Sequence, residues 1–219
     1  MTADWEERAA RARERFEDGL ARLPEDADER QRQLTRLGNA AWAAGLSFLM
    51  LGQREDAVAW LTRAADTYRE SWQSAPPGSW GRPIGAMKSR LIAGDLPGAR
   101  GDARWALDAG AADAESPIGR YAAALANLVV GEDEQVASLA ATLAGTEPIP
   151  ASVTASMAAL AARDERAYVS AIGELVEEFE GRTEFLEDIP VADTVLALQA
   201  LAESRGIRVP LDSPLLPST

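Results

Sequence analysis

A short turn recurs along this chain and constrains its fold more than any other feature. Each copy has a small residue, then polar residues, then a small apolar residue five positions on. The first runs from Gly52 to Ala57 and the second from Gly94 to Ala99. The third runs from Gly131 to Val136, with valine in the alanine slot, and a degenerate fourth from Ala162 to Ala167. Their starts lie 42, 37 and 31 residues apart. Glycine at such a bend admits the left-handed backbone that ends a helix, and the alanine lets the next helix approach closely. Self-similarity at this period predicts helical hairpins stacked side by side.

The stretches between bends carry a helical period. Leu34, Leu37, Ala41 and Ala44 recur at spacings of three and four. Alternating β-branched runs are absent; Val129-Val130 and Ile207–Val209 are too short to build strands. Breakers divide the chain into helices over 3–23, 26–51, 54–74, 97–109, 132–144, 151–163, 164–180 and 190–205. Two more start at Ser79 or Arg82-Pro83 and at Ser116-Pro117, and end at Gly94 and Gly131. The connections 110–116 and 145–150 are short. We therefore expect one all-α domain over 1–219, with stacked antiparallel helical hairpins and about ten helices. Its parts are N-terminal helices over 3–37, hairpin repeats over 38–180, a terminal helix over 190–206 and an extended tail over 207–219.

Composition enters through what it excludes. The chain has no histidine and no cysteine. Zinc sites of imidazole or thiolate, Ser-His-Asp triads, Cys-His pairs and disulfides are ruled out within it. Glu174 and Glu178 share a helical face, but that pattern reads as a solvated surface rather than a metal or acid/base pair. Ser152, Ser156 and Ser170 have no recognisable activating base, and no phosphate-cradling glycine loop is present. We expect no enzyme activity, no cofactor and no metal. The formal charge of −13 argues against nucleic acid as a partner. The basic run Arg11–Arg15 is interleaved with Glu6, Glu7, Glu14, Glu17 and Asp18. The longest apolar run, Ala40–Leu51, falls short of the roughly 20 residues that span a bilayer. Met1–Glu7 has neither the basic lead nor the apolar stretch of a secretory signal. The expectation is a cytoplasmic protein without a membrane partner.

Around the first turn Gly45, Phe48, Gly52, Ala57, Leu61 and Ala64 stand in one register. Gly94, Ala99, Ala103 and Ala106 follow it in the second copy, and Ala124, Gly131, Ala140 and Leu143 in the third. On these positions residues 38–144, and more weakly those to 180, resemble the tetratricopeptide family of helix-turn-helix repeats. The chain departs from that family in its period and in lacking the proline that closes each unit. The resemblance implies a concave face lined by the first helix of each pair. Its groove positions here are Asn39, Trp42, Leu46, Leu49 and Met50; then Gly81, Ile84, Lys88, Leu91 and Ile92; then Ile118, Tyr121, Leu125, Leu128 and Val129. That face is apolar apart from Lys88, and an apolar face of such extent must be covered. The candidates are the chain's own tail (Pro210–Pro217), a second copy, a hydrophobic partner or ligand, or closure of the stack on itself.

Six tryptophans, at 5, 42, 60, 72, 80 and 105, read mainly as packing residues. Trp72 and Trp80 flank the Pro76-Pro77-Gly78 turn. The leading expectation is a helical-repeat protein that mediates protein–protein interaction or assembly through the apolar groove, by a protein partner or self-association. A second reading comes from Leu198, Leu201, Ala202, Arg205-Gly206-Ile207, Val209, Ser213 and Leu216-Pro217, preceded by the helix Asp164–Glu180. Together they resemble the ending of an immunity-protein family that neutralises polymorphic toxins in bacteria, which implies a cytoplasmic protein that captures a toxin. A third reading is a small-molecule sensor with an apolar cavity near Trp42, Trp80 and Tyr121.

Overall fold

The computed structural model describes residues 2–218; Met1 and Thr219, the ends of the expected domain and tail, lie outside the described residues. Ten α-helices follow one another, with no strand among the described residues. They are α1 (Thr2–Ala21), α2 (Ala27–Met50), α3 (Arg54–Trp72), α4 (Gly81–Ala93) and α5 (Leu96–Asp108). Then come α6 (Pro117–Val130), α7 (Asp133–Leu143), α8 (Ala151–Ala162), α9 (Glu165–Glu180) and α10 (Asp193–Ser204). The boundary expected at 37/38 falls inside the unbroken helix α2.

The recurring turn has one structure in all four copies. The second residue of each bend donates its backbone N–H to the carbonyl five residues back: Gln53 to Phe48, Asp95 to Arg90, Glu132 to Asn127 and Asp164 to Ala159, each at 2.9 Å. This bond satisfies a carbonyl that the helix end would otherwise leave bare. The left-handed residue at the first three bends is Gly52, Gly94 or Gly131. At the fourth it is Arg163, with φ 54°. The fourth unit therefore bends at Arg163 rather than at Ala162, one residue later than the sequence pattern suggests. The small-residue slot then holds Tyr168, where the other units hold Ala57, Ala99 and Val136; all four side chains are fully buried. The Tyr168 hydroxyl reaches past its own hairpin to Gln199 of α10.

Successive helices pack pairwise, and α4, α6 and α8 also touch one another to form an inner layer. Close approach within the first pair depends on Gly45, where a Cβ would lie 2.7 Å from Leu61 Cγ. At the N-terminus α1 packs on α2, and the Phe16 ring meets Trp60 edge-on at 5.4 Å. At the other end the chain turns back: α10 lies against α4, α8 and α9. The tail runs antiparallel along α10. Gln199 Nε2 donates to the Val209 carbonyl at 2.7 Å, and the Ala192 N–H to the Leu215 carbonyl at 3.0 Å.

Candidate binding pocket between the second, fourth and terminal helices

The inner layer bears the apolar strip that the repeat pattern implies, but the strip is not an open groove. Leu46, Leu125 and Leu128 are sealed from solvent, and Trp42, Leu49, Ile84, Leu91 and Tyr121 are buried. Met50, Asn39 and Lys88 are half-buried. Of the candidate covers, it is the terminal helix α10 of the same chain that packs on α4 and α8, and Pro217 of the tail reaches the edge of that wall beside Leu49 and Leu91. The physical reason is backbone hydrogen bonding. A helix satisfies its own amides and carbonyls, so it can be pressed onto an apolar wall without leaving backbone groups bare.

Polar contacts hold α10 in place along its length. At its start the Lys88 ammonium lies 2.5 Å from Asp193 Oδ2 and donates to Thr194 Oγ1 at 2.8 Å. Asp193 stands in the first turn of α10, where the helix dipole favours an anion. Midway, Tyr168 Oη donates to Gln199 Oε1 at 2.9 Å. Just past its end, Arg205 Nη2 reaches the Leu128 carbonyl at 2.8 Å and Asp133 Oδ1 at 3.0 Å. Between them Val195, Leu198, Leu201 and Ala202 are buried.

Beside α10 the described residues leave cavities along the wall. One, of about 360 Å³, lies beside Leu49, Leu91 and Leu196. Another, of about 370 Å³, opens between α2, α4 and the start of α10 and is lined by Trp42, Tyr68, Trp80, Arg82, Lys88 and Asp193. Ile92 reaches the first cavity, and Asn39, Ile84 and Gly81 also reach this second one, so the expected groove residues are divided. Asn39, Trp42, Ile84 and Lys88 border it; Leu49 and Leu91 border the other; Leu46, Leu125 and Leu128 are sealed. Tyr121 and Met50 border neither.

The rings of the second cavity are fixed by backbone. The Tyr68 ring is clamped between two helical glycines: a Cβ on Gly38 would lie 2.7 Å from it, and one on Gly85 2.8 Å. Its hydroxyl donates to Asn39 Oδ1 at 2.8 Å. Trp80 packs tilted against Trp72, with ring centroids 5.4 Å apart, and Trp72 meets Trp105 edge-on at 5.6 Å. Trp80 is therefore buried, not displayed on the Pro-Pro-Gly turn. Sequence reasoning missed Tyr68, Arg82 and Asp193. The available signal was Gly38 and Gly85, which stand inside helical patterns where glycine is costly without a packing reason.

Burial pushes all three tyrosines well above the ordinary phenol value of 10.0; carboxylates add to this, Asp193 at Tyr68 and Tyr121, Glu187 at Tyr68 and Glu203 at Tyr168. A phenol with a raised folded pKa contributes stability below the unfolded value and loses it as pH rises above that value. Tyrosinate absorbance should therefore stay silent above pH 10 until the chain unfolds, then rise in one cooperative step with the loss of far-ultraviolet helix signal. A gradual rise from the native protein near pH 10 would contradict the burial.

Glu174 and Glu178 are exposed on α9. No helix among the described residues is long and apolar enough to cross a membrane. Comparison with protein-family models, curated proteins and solved structures finds no match to this chain.

Proposed function

We propose that this chain is a non-catalytic helical-repeat protein that binds a small molecule in the pocket bordered by Trp42, Tyr68 and Trp80. The observation that carries the reading is the composition of that pocket: three aromatic residues border it together with Asn39, Arg82, Lys88 and Asp193. Largely apolar walls with a few placed polar groups are what a small-molecule site requires. Capture in the apolar groove itself would first require α10 to leave it. The test is native mass spectrometry of the protein purified from its own cells. A bound compound, lost on denaturation and competed by mutation of Trp42, is the expected result. The bare mass in every charge state, with no compound from a fragment library protecting the tryptophan emission, would overturn it.

One observation favours a second reading, stoichiometric capture of another protein such as a toxin. The formal charge is −13 and the large exposed apolar side chains are only Leu20, Val169 and Leu186 among the described residues. A partner met on that exterior would be basic and its association steeply salt-dependent. A large toxin gene beside this one, whose product binds the protein one-to-one, would support it.

A further inference from the structure

The fold buries two charged residues, Asp102 and Arg82, and treats them differently. Asp102 is met by Arg69 at 2.7 Å and by Arg90 at 3.4 Å. Arg82 is only 9 % exposed, yet it has no carboxylate partner among the described residues. Its guanidinium donates to neutral oxygens alone: from Nε to Ser71 Oγ at 2.9 Å and Thr35 Oγ1 at 3.2 Å, and from Nη2 to Gln31 Oε1. The two N–H groups of Nη1 have no protein acceptor among the described residues, and Nη1 is not sealed from solvent. A lone buried cation is costly. This one also stands in the first turn of α4, where the helix dipole adds further positive potential.

Arg82 forms a border of two adjoining hollows. On one side is the aromatic pocket, whose charged border residues Arg82, Lys88 and Asp193 sum to a positive charge. On the other is a shallower surface hollow with Arg32, Arg36 and Asp28, of which Arg32 and Asp28 form a pair. In a chain of formal charge −13 this is a local reversal of sign.

We propose that the pocket takes a small organic anion, with its carboxylate or phosphate oxygens on Arg82 and its apolar body against Trp42 and Trp80. This rests on the pocket being a small-molecule site, and it names the ligand class. A guanidinium with unspent donors is suited to an oxyanion, and the rings beside it supply the apolar contact.

The experiment uses the full chain and a matched pair of probes, 2-naphthylacetate and its neutral analogue 2-naphthylacetamide, titrated by calorimetry at low ionic strength. The acid is expected to bind at least about tenfold more tightly than the amide. Arg82→Gln should abolish that preference, the acid losing at least about tenfold in affinity and the amide far less. Inorganic phosphate should compete with the acid. Equal affinity of acid and amide would overturn the anion assignment and leave the pocket reading standing. Binding of neither probe at millimolar concentration would also overturn the assignment, the pocket reading then being decided by the native mass. Should Arg82→Gln fail to fold by circular dichroism, the acid-to-amide ratio of the unaltered protein decides. A purely structural Arg82 gives a ratio near one.

Discussion

Cutting Leu198 and Leu201 together to alanine should cost this protein a large part of its stability. Both side chains are buried on α10, at 2 % and 0 % exposure. A buried leucine reduced to alanine costs about 2–5 kcal/mol through lost transfer energy and the cavity left behind. Two such losses on one helix amount to about 4–10 kcal/mol, against a total of about 5–15 kcal/mol for a typical domain. The loss should be accompanied by exposure of the wall beneath, so a hydrophobic dye silent with the native protein should light up. Urea denaturation with dye emission checks both. Leu211 and Leu215 on the tail are only half-buried, and the same change there should cost much less. Near-native stability of the α10 variant would mean that α10 is not the cover of the wall.

The second large effect is a reversal of sign among glycines. In a helix, glycine to alanine normally gains about 1 kcal/mol from backbone entropy. Gly101 on α5 and Gly173 on α9 have no atom within 4 Å of an added Cβ, and alanine there should stabilise by about 0.5–1 kcal/mol. At Gly38 and Gly85 the added carbon runs into the Tyr68 ring at 2.7 and 2.8 Å. Overpacking of this kind costs about 1–3 kcal/mol, and valine costs more than alanine. The ring cannot slide, because one glycine blocks it from α2 and the other from α4. Each of Gly38→Val and Gly85→Val should therefore lower the melting temperature and alter the near-ultraviolet signal of the pocket aromatics, while Gly101→Ala raises it. Equal behaviour at all four positions would remove the clamp from the account.

Much of the all-α architecture was legible because its punctuation is chemical. The three glycine bends could be placed by eye, since only glycine accepts that backbone without cost. The fourth was misplaced by one residue because Arg163 takes the left-handed conformation there, and nothing in its identity announces this. The apolar strip was legible too, because it follows from which helix of each pair faces inward. Its cover was not. Val195, Leu198 and Leu201 mark α10 as amphipathic, but amphipathicity does not say which wall a helix meets. That choice depends on contacts distant in sequence, such as Lys88 with Asp193 and Tyr168 with Gln199. The aromatic pocket was half legible. Trp42 and Trp80 belong to the lining as the sequence suggests; Tyr121 sits outside it, and Tyr68 takes a place there because two glycines leave room for its ring.

α10 of the same chain covers the inner wall of α4 and α8, and one side chain reports on that cover directly. Lys88 is the only lysine, and its ammonium lies 2.5 Å from Asp193. A zero-length carbodiimide joins an amine to a carboxylate only when the two are in contact. Treatment of the native protein, followed by digestion and mass spectrometry of the monomer band, should yield an amide between Lys88 and Asp193, absent from Lys88→Arg. No such pair, a Lys88 joined to another carboxylate, or the pair found solely in covalent dimers would contradict it.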